Sequence, residues 1–189
     1  MKLFLIQPHH ESGHPEREAE LRKVERLNDA TFGTNQYRPT GRPSFSELFG
    51  TCLHEHVNII ANSDIEIAPE TLALFDRLPE GTVWCLSRWD LVGEHWTPRL
   101  RRDSQDVWAV RGSLSVDAPF TMGVPGCDNV LAHRLRHGNG MRLDNPVWSV
   151  VCRHHHMCGV RTYPIERGKD RDFFRLPRPY ELVRPSHLP

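Results

Sequence analysis

The side chains with chemical reach fall in four short stretches of the chain. Asn62-Ser63-Asp64 follow the apolar, β-branched run from Val57 to Ala61, and Asp103-Ser104-Gln105-Asp106 lead into a second apolar run. The tight turn Gly123-Val124-Pro125-Gly126 precedes Asp128, and the stretch from Cys152 to Cys158 places His154, His155 and His156 between two thiols. A carboxylate at the carboxyl end of a strand, as Asp64 is, suits a hard divalent cation. Mg²⁺ or Mn²⁺ takes oxygen ligands, keeps positions for phosphate oxygens and water, and asks the protein for one or two carboxylates plus an imidazole. An acidic residue at that place serves equally as a helix cap or turn former. On a strand His154 and His156 point to one face and His155 to the other, so either of the first two is a candidate second ligand. Strand histidines with satisfied hydrogen bonds are the alternative. Asp128 either caps the helix that follows its turn or faces a substrate hydroxyl, and Asp106 is either a site residue or a polar strand entry. Arg88 offers its planar fork to a phosphate or hydroxyl, or forms a surface ion pair.

Zinc is a rival ligand, because Cys52-x-His54-x-His56 and Cys152-x-His154-x-His156-x-Cys158 both hold enough soft donors. Their spacing tells against it: alternate strand residues lie about 7 Å apart, too far for neighbouring ligands to converge without a bend.

The elements that must position these residues follow from the pattern. Lys2 to Ile6 reads as a buried first strand stopped by Gln7-Pro8, and Pro15 to Asn28 as an amphipathic helix whose charges face solvent. Gly33 to Pro43 reads as loop, and Ser44 to Phe49 as a capped helical turn. Val57 to Ala61 is a central strand and Pro69 to Leu78 a helix closed by Gly81; Thr82–Ser87 and Asp106–Val110 are strands. A helix is expected over Asn129–Leu135 and a late strand over Val147–Cys152, running into the histidines. Strand and helix alternate, and in open α/β sheets ligands sit at strand ends. The expectation is one three-layer α/β/α domain with a mixed, mostly parallel sheet over residues 1–166, and a Pro-rich tail over residues 167–189 that is extended or partly disordered.

Lys plus Arg and Asp plus Glu both number 24, so no net charge draws in a polyanion, and a nucleic-acid partner is not expected. No apolar run reaches the roughly 20 residues of a spanning helix. The apolar opening is too short for a signal peptide, and the five cysteines form no regular framework, so the chain is expected to be soluble and cytoplasmic with free thiols.

Ile59-Ile60-Ala61-Asn62-Ser63-Asp64-Ile65 resembles the strand and a divergent DXD motif of glycosyltransferase-like proteins of the GT-A fold, the nucleotide-diphospho-sugar transferase superfamily. Further blocks resemble that group in order: Cys85 to Asp90, Ser104 to Trp108, Gly123 to Asn129, and His154-x-His156 followed by Gly159 to Tyr163. Together they span residues 55 to 163; the opening Phe4 to Pro8 and Arg42 to Phe49 are weaker matches. The resemblance implies a glycosyltransferase that moves a sugar from a nucleotide sugar to a glycan or other acceptor hydroxyl with Mn²⁺ or Mg²⁺. Asp64 takes the place of the motif's last carboxylate, on the metal that bridges the donor phosphates, with His154 or His156 completing the site. Asn62 replaces the motif's first Asp and supplies a neutral oxygen but no second charge. Asn62, Ser63, Asp64 and Arg88 would bind the donor, Asp128 would be the base, and Asp106 is the next candidate. A non-catalytic nucleotide- or glycan-binding module of the same fold is the alternative, and a zinc-binding protein the third reading.

Overall fold

Alternation along three adjacent strands builds the centre of the molecule. In β3 (His56–Ala61), Val57, Ile59 and Ala61 point to one side and Ile60 to the other; β5 (Thr82–Leu86) and β8 (Val107–Arg111) divide in the same way, Trp84, Leu86, Val107 and Ala109 against Val83, Cys85, Trp108 and Val110. Both sets are buried, so the sheet needs cover on both faces. The structure, a computed structural model, describes residues 2–160 and 179–188.

β1 (Lys2–Ile6), β2 (Gln36–Tyr37) and β9 (Arg142–Asp144) complete a six-stranded mixed sheet in the order β2-β1-β3-β8-β5-β9. β1 pairs in parallel with β2 and β3, and β5 with β9, while β8 runs antiparallel to both its neighbours. The chain is thus α/β with a mixed sheet. One face is closed by Phe45, Leu48 and Phe49 of α2 (Phe45–Gly50) and by Leu131 and Ala132 of α3 (Cys127–His133). The other is closed by Phe32 of α1 (Pro15–Phe32), by Phe75 of a 3₁₀ helix (Pro69–Arg77), and by a second sheet. That sheet has the order β4-β10-β6-β7, from β4 (Ile65–Ile67), β10 (Cys152–His154), β6 (Trp89–Val92) and β7 (His95–Pro98).

Local chemistry explains the elements. Ser44 and Glu47 form a reciprocal capping box on α2, as its sequence predicts, and Pro15 opens α1 where no N–H is needed. Several boundaries differ from expectation. Helix α1 continues to Phe32, one turn past Asn28, because Phe32 finds a place in the core. The loop expected over Gly33–Pro43 contains β2, two residues long and without an apolar pattern. The helix after Pro69 is 3₁₀ and ends at Arg77. α3 starts two residues earlier than Asn129 and passes into a π-helical turn over Arg134–Gly138. The late strand is confined to Cys152–His154; Val147–Ser149 form a turn after Pro146, with Ser149 and Val150 donating to its carbonyl. The sequence pattern predicts neither strand β9 nor the β6–β7 hairpin, although Gly93, at φ 62°, supplies the left-handed residue that a two-residue hairpin loop requires.

Residues 181–186 lie against the body: Glu181 N donates to Asn129 O, Val183 N to Arg102 O and Ser186 N to Asn145 O. Residues 161–178, which include Arg161-Thr162-Tyr163 and the start of the Pro-rich tail, lie outside the described residues. Among the described residues no helix is long and apolar enough to cross a membrane.

Candidate functional site

The ends of β3 and β5 and the entry to β8 converge on one cavity of about 550 Å³. Asn62, Ser63, Asp64, Arg88, Asp106, Asp128, His154 and His156 all line it. Their placement is fixed by backbone pairing: Asn62 N donates to Asp106 O at 3.0 Å, and the Asn62 amide donates to Asp106 Oδ1 at 2.8 Å. Antiparallel pairing of β3 with β8 therefore sets the end of one strand against the start of the other.

Asp64 is the hub. Its Oδ2 accepts from Arg17 Nη2 at 2.6 Å and lies 3.2 Å from His154 Nε2 and 3.8 Å from His156 Nδ1. Burial raises the carboxyl's proton affinity, but the hydrogen bond and charge of His154 and the charge of Arg17 outweigh it and hold Asp64 well below the usual carboxylate range. His154 stands between two carboxylates, with Nδ1 2.9 Å from Asp90 Oδ1. Burial pulls its pKa down, yet the Asp64 contact prevails and the net direction is up. His156 goes the other way: burial and the Arg17 charge lower its pKa and leave the neutral imidazole that a metal needs. Nitrogens of both histidines and an Asp64 oxygen lie within 4.8 Å of one another. The 3.2 Å between Asp64 Oδ2 and His154 Nε2 is that of a hydrogen bond, so a cation held by both would displace the proton between them. One carboxylate, two imidazoles and open cavity on one side form a mixed nitrogen and oxygen set, which suits a transition-metal ion such as Mn²⁺ or Zn²⁺ better than the oxygen-preferring Mg²⁺.

Strand alternation does not bring the two histidines together. β10 ends at His154, and His156 lies in the following loop, its Nε2 2.8 Å from the Val160 carbonyl, which turns Nδ1 towards Asp64. His155 does point away, with Nε2 2.7 Å from Glu66 Oε2.

Asp106 and Asp128 form a second acidic group. Asp128 is not the cap of α3: that position is Gly126, at φ 84°, and Asp128 sits in the first turn, where Cys127 Sγ donates to its Oδ1 at 3.3 Å. Burial, reinforced by the nearby charge of Asp106, pushes the Asp128 carboxyl up to about 7. Burial also raises Asp106, against the pull of Arg88. Arg88 is more than a surface ion pair. It bonds Asp90 Oδ1 through Nε at 2.8 Å, has Nη1 3.5 Å from Asp106, and links the two acidic groups from within the cavity wall.

Sequence reasoning missed Arg17, Asp90 and His10. Arg17 lies on a helix whose charges are expected to face solvent, yet it shares the buried stripe with Leu21, Val24, Asn28 and Phe32, and that spacing of four, three, four and four is the available signal. Asp90 lies on the unforeseen hairpin, and His10 reaches Ser63 Oγ with Nδ1 at 3.1 Å. The cysteines of the zinc reading separate: Cys52 and Cys152 fall in cores on opposite faces of the main sheet, where burial raises both thiols away from the thiolate that zinc requires. Among the described residues the group of possible ligands that contains a cysteine is Glu20, His156 and Cys158.

No family model matches the chain, and neither curated proteins nor solved structures give a match.

Proposed function

We propose that this chain is a cytoplasmic glycosyltransferase with a GT-A-like three-layer domain, which moves a sugar from a nucleotide-diphosphate sugar to an acceptor hydroxyl. The observation that carries the reading is the meeting, in one cavity, of a cation-ligand set (Asp64, His154, His156) and a carboxylate whose pKa is about 7 (Asp128). Glycosyl transfer needs both kinds of group. The leaving diphosphate must be stabilised as its bond to the sugar breaks, and the attacking hydroxyl must lose a proton. Asp64, with His154 and His156, would hold the divalent cation, which would supply charge to the leaving phosphates. Asn62 and Ser63 flank that position and Arg88 offers its remaining N–H groups to the donor, while the strand ends hold all three. Asp128 takes the proton of the acceptor hydroxyl, and burial, reinforced by the charge of Asp106, keeps its pKa in the range where this is effective.

The test is a panel of nucleoside diphosphates, with and without Mn²⁺, read by thermal shift. The reading requires stabilisation by at least one of them that depends on Mn²⁺ and is lost in Asp64→Asn with the fold intact. Stabilisation indifferent to Mn²⁺ and to Asp64→Asn would remove the metal site. A second reading, a non-catalytic nucleotide- or glycan-binding module, draws on Asn62, whose amide is committed to Asp106 and which leaves Asp64 as the one carboxylate of its motif. Nucleotide binding without turnover of any donor would favour it.

A further inference from the structure

Arg17 carries a full positive charge on a side chain only 6% exposed, and it lines the cavity. Nη1 donates to Glu20 Oε2 at 3.0 Å and to the His155 carbonyl at 3.1 Å, and Nη2 donates to Asp64 Oδ2 at 2.6 Å. The oxygen it occupies is the one nearest both histidines. A divalent cation bound to Asp64 Oδ2 within the Asp64–His154–His156 set would therefore share that oxygen with a guanidinium already on it.

We propose that Arg17 is an internal counter-ion that competes with the divalent cation for Asp64, so that metal binds tightly only together with a diphosphate. This rests on the reading of the cavity as a nucleotide-sugar site. Metal alone would put two positive charges beside a buried guanidinium that must then share Asp64 and is left with Glu20 as its undivided carboxylate partner. Glu20 stays with Arg17 through Oε2, while its Oε1 accepts from Met157 N and Cys158 N, so one carboxylate would face both the guanidinium and the cation. Like charges brought together in a buried site repel strongly. A diphosphate brings about two negative charges and oxygens that fit the arginine fork, and so replaces Asp64 as the partner. Linkage then makes metal and diphosphate each raise the other's affinity.

The experiment measures Mn²⁺ binding to the nucleotide-free protein by the electron paramagnetic resonance of free Mn²⁺. Wild type is compared with Arg17→Met, with Arg17→Gln, which keeps hydrogen bonding without charge, and with Asp64→Asn in each background. Arg17→Met and Arg17→Gln are expected to bind Mn²⁺ at least about tenfold more tightly than wild type, with the gain abolished by Asp64→Asn. Should Arg17→Met melt without cooperativity, Arg17→Gln decides alone. Equal or weaker binding in the Arg17 variants, still lost with Asp64→Asn, would overturn the competition and leave the metal site standing, with Arg17 merely orienting Asp64. Absence of Mn²⁺ binding in every protein would overturn both.

Discussion

Asp128 carries two roles that a single substitution separates. In the folded protein it keeps its proton up to about pH 7, whereas its ordinary value is 3.8. As a general base it must be ionised, so turnover should rise with pH through about 7. Asp128→Asn should lower turnover by about 10² to 10⁴ and remove that limb, with donor affinity nearly unchanged. The stability effect has the opposite sign. Between the unfolded and folded values the native state binds more protons than the unfolded one, so this group's contribution is fully present below about pH 4 and is lost as pH rises through about 7. Asn removes the burial of a charge. Asp128→Asn should therefore melt above wild type at pH 8 and converge with it at pH 4, as calorimetry at the two pH values would show. A variant with full activity and an unchanged melting temperature at both would reduce Asp128 to a helix residue and move the search for the base to Asp106.

At the scale of elements, the placement of Asp64 depends on how α1 is tied to β4. Asn28, fully buried, makes that tie: its amide donates to Gln7 Oε1 at 2.9 Å and to Ile65 O at 3.0 Å, and its Oδ1 accepts from Ile67 N at 3.2 Å. The same helix delivers Arg17 to Asp64 about three turns earlier. Asn28→Ala leaves the Ile67 N–H and the Gln7 acceptor without their partner in the interior. We expect a loss of about 2–4 kcal/mol in urea denaturation, because each buried unsatisfied group costs about 1–3 kcal/mol. The β6–β7 hairpin acts in the same way on the other side. β10 pairs in parallel with β6, setting His154 beside Asp90, and antiparallel with β4, setting it beside Ile65, next to Asp64. His154 is thus placed between its two carboxylates by strand pairing rather than by the loop that follows.

For the whole molecule, the site sits where independent parts meet: the carboxyl ends of main-sheet strands, helix α1, and the second sheet. Ligand that binds across them should stabilise the fold as a unit. With a matched nucleoside diphosphate and Mn²⁺ at about 100 times its dissociation constant, linkage gives about 2.7 kcal/mol, which for a chain of this size is a rise of roughly 5–10 °C in melting temperature. Asp64→Asn should remove the Mn²⁺-dependent part, and a differential scan of the two proteins would check it.

What the sequence determined by itself is the part governed by local pattern. The β-branched run Val57–Ala61, the apolar β5 and β8, and the Ser44–Glu47 capping box are all found where their residues placed them, since alternation and capping act within a few positions. Asn62, Ser63, Asp64, Arg88, Asp106 and Asp128 could be picked out because polar residues after strands and turns stand out against an apolar background. The tertiary structure decided the rest. It placed Arg17 on Asp64 across 47 positions and Asp90 against His154 across 64, and it turned His156 back through a loop contact to Val160. The helical stripe marks Arg17 as buried, but no periodicity names the partner in any of these pairings, because that depends on which elements pack together. Even the pKa of Asp128, about 7, arises from burial and from the charge of Asp106, 22 positions away, and a carboxylate in a sequence carries no mark of either.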